Sequence, residues 1–157
     1  MIIGIPKEIK DQETRVGLTP KWVGKLTKQG HSVYIQKGLA NLAGIADETY
    51  IAHGARVLAT KEELYRKSEL IIKVKDYTPE ERDTPFQEQQ IVMCYFHLGE
   101  AEPDQPLVDN LIRAKVTAVS LELIQTDDAE RPLIKPMSDI AGRVAVPLPR
   151  IPFAGLL

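Results

Sequence analysis

At 157 residues and 17.5 kDa the chain has the length of one ordinary domain, and with 43% hydrophobic and 27% charged residues its composition is globular rather than disordered or fibrous. Its 20 Lys+Arg against 22 Asp+Glu give a net charge of −2, which offers neither nucleic acid nor an anionic membrane an electrostatic handle, and its one cysteine, Cys94, excludes an internal disulfide framework or a Cys-based zinc site and fits a reducing cytosol. No stretch approaches the roughly 20 apolar residues of a membrane span, and residues 1–6 carry no basic n-region, long apolar h-region or small-residue cleavage site, so a cytoplasmic location is expected.

Short β-branched runs alternate with helical patterns. Residues 2–5 are the first expected strand, stopped by Pro6 and followed by a polar stretch, 7–19, that carries Arg15. Thr19-Pro20 opens a helix in which the Thr side chain can accept free amide protons. Trp22, Val23 and Leu26 recur on one face, and Gly30 ends it. A strand over 32–36, an irregular loop over 38–46, a short helix over 47–53 closed by Gly54 and a strand over 55–59 follow. Thr60 and Glu63 have capping-box spacing for a helix through residue 66. Residues 70–74 are the next strand. The charged segment 76–90, with Pro79 and Pro85, reads as a surface connection containing one helical turn. Residues 91–96 are apolar without polar alternation, as expected of a strand covered on both faces. Pro106 starts a helix with Leu107, Val108, Leu111 and Ile112 on one stripe, and 116–121 is the last strand. Ser138 can cap a final helix, with Ile140 and Val144 on one side, that Pro147 stops. Strands separated by helices imply right-handed crossovers, hence an α/β fold with a mostly parallel sheet and helices on both faces.

Ligands of open parallel sheets bind at the carboxyl ends of the strands. Four polar residues follow strands directly or in the next loop: Arg15, Lys75, His97 and Glu122. Arginine can clamp a carboxylate, lysine can polarise a carbonyl and histidine can trade a proton near neutral pH, a set that suits a small 2-oxo or 2-amino acid. Taken singly, each also has a structural reading. Arg15 could be a solvated surface residue. Lys73 and Lys75, two apart, could be solvent-facing ends of a strand, and Glu122 a structural carboxylate. His97 could be a satisfied strand-end histidine, as His31 and His53 beside helix-ending glycines are expected to be. No two of the ten glycines stand two apart, so neither a G-x-G-x-x-G turn nor a P-loop is present; metal-ligand spacing and a G-x-S-x-G elbow are missing as well.

Several motifs stand in a distinctive order. They are Gly4-Ile5-Pro6-Lys7-Glu8, Glu13-Thr14-Arg15-Val16 with Leu18-Thr19-Pro20, Lys73-Val74-Lys75, Tyr95-Phe96-His97-Leu98, and Pro136-Met137-Ser138-Asp139-Ile140-Ala141-Gly142-Arg143. Together they closely resemble the N-terminal half of the NAD-dependent alanine dehydrogenases, within the alanine dehydrogenase and transhydrogenase N-terminal family, from residue 1 to about residue 146. The His97-Leu98 pair leans toward the dehydrogenases. The resemblance implies a Rossmann-like (flavodoxin-like) substrate domain of an oxidoreductase that interconverts L-alanine, NAD and water with pyruvate, ammonia and NADH. Carried over by position, Arg15 looks like the carboxylate-holding residue, Lys75 like the contact to the carbonyl or amino centre, and His97 like the acid/base residue. Met137 and Ser138 look like the residues that approach the nicotinamide, at a helix N-terminus offering amide donors. The implied organisation is a substrate-binding domain over 1–136, the start of an interdomain helix over 137–146, and an atypical tail over 147–157 with three prolines in six residues.

The family's glycine-rich cofactor domain lies outside this sequence. NAD is therefore expected in the complete family enzyme, with none bound tightly by this chain and catalysis incomplete. Expected partners are pyruvate or L-alanine, with no nucleic acid and no membrane; in the family C-terminal helices return to cover this domain, so an apolar patch that favours self-association is expected where they are missing. Two alternatives stand beside this reading: the N-terminal part of a transhydrogenase alpha subunit, and a non-catalytic binding or oligomer-forming module.

Overall fold

A computed structural model describes residues 1–99 and 104–145. The expected tail over 147–157 lies outside the described residues. The chain divides into two units, the first Met1–Ser120 and the second beginning at Leu121.

The first unit is built on strands β1 (Ile2–Ile5), β2 (Ser32–Gln36), β3 (Arg56–Leu58), β4 (Leu70–Ile72), β5 (Ile91–Cys94) and β6 (Thr117–Ser120). All neighbours pair parallel, in the order β3-β2-β1-β4-β5-β6. The expected sheet is thus confirmed as wholly parallel. Its order is the 3-2-1-4-5-6 order of dinucleotide-binding folds, which corrects the flavodoxin-like part of the expectation, because a flavodoxin-like sheet runs 2-1-3-4-5. The chain leaves β1 in one direction, to β2 and β3, then returns to the other side of β1 for β4. The topological switch point therefore lies between β1 and β4.

Helices α1 (Pro20–Lys28), α2 (Asp47–Ala52), α3 (Lys61–Lys67) and α4 (Gln105–Arg113) divide between the two faces. Ile3, Ile5, Val33 and Ile35 point to one face and pack with Val23 of α1 and Tyr50 of α2. Ile71, Val92 and Cys94 point to the other and pack with Tyr65 of α3 and Leu107 and Leu111 of α4. Period-2 alternation along strands held in parallel register produces this partition. Gly4, whose register partner is Ile71, faces the end of α3, where an added Cβ would overlap the Ser68 side chain; a larger residue would lift that helix off the sheet.

Local chemistry sets most element ends as expected. The Thr60 hydroxyl accepts the Glu63 amide at 3.2 Å, and Asp104 caps α4 by accepting the Leu107 amide at 3.3 Å. Three expectations are corrected. Trp22 is exposed rather than packed on the Val23 face, with the Lys25 ammonium 4.0 Å above its ring. Ile112 is likewise exposed although it belongs to the expected apolar stripe of α4. The segment 76–90 is no surface connection: Tyr77, Glu81, Thr84 and Gln90 are buried. Gln90 donates to the Tyr65 and Ser68 carbonyls at 2.8 and 2.6 Å, satisfying acceptors left open where α3 ends.

The second unit contains a 3₁₀ turn, Leu121–Leu123, and α5 (Lys135–Ala145). Ser138 sits inside α5 rather than at its cap, and Ile140 and Val144 are exposed.

The Tyr65 and Tyr77 hydroxyls meet at 2.8 Å in the core, and burial holds both phenols well above their ordinary value near 10. The folded chain keeps these protons where the unfolded chain releases them, so their contribution is whole below about pH 10 and is lost as pH rises further. Urea midpoints should therefore fall between pH 9 and pH 11, about 9 and about 11 being chosen to bracket the free phenol. The Tyr77→Phe chain should show a shallower fall from a lower starting midpoint, because one titrating group is gone and the Tyr65 hydroxyl has lost its partner.

Candidate functional site

Three carboxyl-end loops lie side by side at and beside the switch point, because β1, β4 and β5 are consecutive in the sheet. Arg15 lies in the loop after β1, Lys75 three residues past β4 and His97 three residues past β5. The structure thus puts all three on one edge of the sheet.

What holds the loops after β1 and β4 together is a buried carboxylate. Glu8 accepts the Val74 amide at 2.7 Å, the Lys75 amide at 3.3 Å and the Lys73 ammonium at 2.9 Å. Glu8 and Lys73 are both buried, as is Glu81, whose Oε2 lies 3.3 Å from the same ammonium. The Asp76 carbonyl accepts from Lys73 at 3.3 Å, and Lys61 lies 3.8 Å from the other Glu81 oxygen. Burial works to lower the Lys73 pKa, but the Glu8 and Glu81 charges outweigh it and hold it above the ordinary lysine value. Lys73 is therefore no solvent-facing strand end. It is a buried cation between two buried anions.

Further contacts bind the same two loops. Lys10 pairs with Asp76 at 3.6 Å. Gly17 lies against the backbone of Ile72, where a Cβ would overlap the carbonyl oxygen, so only glycine lets the β1 loop approach β4 so closely. The Tyr95 amide donates to the Val74 carbonyl at 3.0 Å, carrying the β4–β5 pairing past the strand ends.

Arg15 is gripped by Glu13. Its Nε and Nη2 donate to the two Glu13 oxygens at 2.8 and 2.6 Å, and its own amide donates to Glu13 at 2.8 Å. The hydrogen bonds from Arg15 pull the Glu13 carboxyl below its ordinary value, with the Lys75 charge a smaller contributor. Arg15 is raised in turn, first by Glu13, with smaller contributions from Tyr95 and Glu8. Arg15 and Lys75 thus act on one carboxylate, and the Tyr95 that Arg15 feels lies two residues before His97.

His97 is exposed, with left-handed backbone (φ 54°). Few non-glycine residues adopt that conformation, and histidine is among those that do so more readily. His31 and His53 make the structural contacts expected of them: the His31 Nδ1 lies 3.4 Å from the terminal amine, and the His53 Nδ1 lies 2.8 Å from the Thr49 carbonyl. Glu122 is half-buried in the 3₁₀ turn that opens the second unit.

Met137 and Ser138 lie within α5, and their amides donate to the Ile134 carbonyl at 3.1 and 3.0 Å. Both amides are thus engaged within the first turns of the helix. With no two glycines two apart either, the described residues do not fit a dinucleotide pyrophosphate, and no hydride step is assigned to them. No group of three or more His, Cys, Asp or Glu poised for a metal occurs among the described residues.

Sequence reasoning missed Glu8, Glu13, Lys73 and Glu81. The available signal was Lys73 itself, a charge inside an apolar strand run, which asks for a buried partner. Replacing Lys73 with Met should cost about 3–5 kcal/mol, because Glu8 and Glu81 would then be buried without their shared cation. Equilibrium urea unfolding of the variant measures that loss, and a change within about 0.5 kcal/mol, the usual range for surface substitutions, would show the network to be energetically idle.

Comparison with known proteins places this geometry. The family model described as alanine dehydrogenase/PNT, N-terminal domain, matches residues 4–141. An alanine dehydrogenase of Methanococcus maripaludis is 43% identical over 148 residues, covering 94% of this chain and 39% of that protein. One from Bacillus subtilis is 39% identical over 145 residues, covering 92% and 37%. A solved L-alanine dehydrogenase superposes with a TM-score of 0.84 at 39% identity, over 94% of this chain and 40% of the other. A transhydrogenase from Sinorhizobium meliloti superposes with 0.68 at 25% identity, over 79% and 34%. The chain spans about two fifths of the length of the curated relatives it matches.

Proposed function

The chain belongs to the alanine dehydrogenase/PNT N-terminal domain family, and from that premise we propose that it is the substrate-binding part of an alanine dehydrogenase, taking pyruvate or L-alanine at the β1–β4 switch point. The observation that carries the reading is the convergence of the loops after β1 and β4 on the Glu8 carboxylate, with Arg15 held by Glu13 in the first loop and Lys75 pinned at its backbone in the second.

In this reading the Arg15 guanidinium supplies the positive charge that attracts the substrate carboxylate, its orientation set by Glu13, which takes its Nε and Nη2 donors. Lys75, its backbone pinned by Glu8, directs an ammonium at the 2-oxo oxygen and polarises the carbonyl. His97 delivers or removes the proton at that oxygen as the centre interconverts between oxo and amino forms. NAD, when bound in the cofactor domain of the complete enzyme, supplies the hydride acceptor. Met137 and Ser138 are assigned to the face turned toward that domain.

The Arg15 side chain is 45% exposed, and an exposed guanidinium–carboxylate pair contributes at most about 1 kcal/mol, so pyruvate should bind this chain weakly. Titration of the isotope-labelled chain with pyruvate should shift the amide resonances of residues 13–16, 74–76 and 96–98 together along one saturating curve. The Arg15→Gln chain, folded by circular dichroism, should lose that response. Resonances unmoved by pyruvate would contradict the dehydrogenase reading and favour the transhydrogenase one, for which the solved relative offers a structural parallel at lower identity.

A further inference from the structure

A second cationic cluster lies away from the switch point, where α3 crosses the sheet edge strand β3. A cleft of about 460 Å³ there is lined by Leu58, Glu63, Arg66 and Lys67. Arg56 lies two residues before Leu58 and so shares its face of β3, and its register partner on β2 is Tyr34. The Arg56 Nη1 donates to the Tyr34 hydroxyl at 3.1 Å. From the Tyr34 ring centroid the Arg56 guanidinium is 5.9 Å away and the Lys67 ammonium 5.0 Å away, so two cations converge on one phenol that is only 6% exposed. Arg66 is held by its Nε–H donating to the Glu62 carbonyl at 3.3 Å.

Among the described residues no carboxylate pairs with Arg56, Arg66 or Lys67 within 4.0 Å. Three cations therefore gather around one acidic wall residue, Glu63, in a chain whose net charge is −2. Part of that charge offsets the negative end of the α3 dipole, which accounts for Arg66 and Lys67 but not for Arg56 on the neighbouring strand.

We propose that this β3–α3 cleft is a binding site for a small phosphate-bearing anion, with Lys67 and Arg66 as its wall cations and Arg56, two residues before the wall residue Leu58 on the same face of β3, reaching it from beside the Tyr34 hydroxyl. Two guanidinium forks and an ammonium match a dianion with several acceptor oxygens better than a single carboxylate. The hydrogen bond from Arg56 holds the Tyr34 phenol below its ordinary value against the opposing effect of burial, with the Lys67 charge next, and this reports the same excess of positive potential. The proposal is independent of the function assigned to the switch point, whose residues Arg15, Lys75 and His97 belong to other loops.

The test is titration of the 157-residue chain with inorganic phosphate, and separately with a sugar phosphomonoester, at constant ionic strength, following amide resonances and heat. Saturable binding is expected, with shifts confined to residues 34, 56–58 and 63–67. Lys67 is exposed, so Lys67→Gln keeps the fold, and it should weaken binding at least about tenfold, as should Arg56→Gln. Glu63→Gln, which removes the one opposing charge, should tighten binding. A response to phosphate alone supports a free-phosphate site, and a response to both supports a phosphomonoester site. Non-saturable shifts, or a Lys67→Gln chain that binds as well as the parent, would overturn the proposal.

Discussion

The carboxylate of Glu8 is the point on which the arrangement at the switch point depends. A parallel sheet leaves its loops to find their own positions once each strand ends, and loops after β1 and β4 have no ladder to align them. Glu8 supplies one: its two oxygens take two successive amides beyond β4 and the ammonium of Lys73. Such a carboxylate is costly to bury, and the cost is offset only because cation and amide donors all reach it. Glu81, brought in by the segment after β4, shares the Lys73 charge from the other side. The loop after β1, the end of β4 and the segment that follows it are thereby fixed by one charge network.

The consequences extend to both neighbours. With the β1 loop docked, Gly17 rests on Ile72 and Glu13 comes within the influence of both Arg15 and Lys75. With β4 extended past its last strand residue, Val74 can accept the Tyr95 amide, which sets the path of the chain into the left-handed backbone at His97. The Arg15 side chain is thus held by Glu13, and the Lys75 backbone by Glu8.

The fold was legible because its signals are local and repeated. The β-branched runs and the Thr19-Pro20 and Thr60…Glu63 helix starts each pointed to alternating strands and helices, and the order of strands alone required the structure. The candidate cations were legible for a related reason: each stands just after a strand, or in the loop that follows one, and a parallel sheet makes those positions neighbours. The carboxylates that organise them were not. Glu8 and Glu81 sit in loops whose composition reads as solvated, and only tertiary pairing with Lys73 buries them. The same limitation explains the segment 76–90, whose prolines and charges concealed Tyr77, packed against Phe86 and Phe96, and Gln90, bonded to the end of α3. Ser138 is not the cap of α5 because a helix can begin before its best capping residue when, as from Lys135, earlier residues already close the turn.

The claim that Glu8 anchors the loop after β4 is tested most directly by amide hydrogen exchange at Val74 and Lys75. These two amides lie beyond the last residue of β4, so the account predicts protection comparable to β4 itself in the parent chain. In the Glu8→Gln chain, where the anionic acceptor and its pairing with Lys73 are lost, these two amides should exchange much faster while those of β1 and β2 stay protected. Unchanged protection at Val74 and Lys75 in a folded Glu8→Gln chain would contradict the account, because the loop would then be held by something other than that carboxylate's charge.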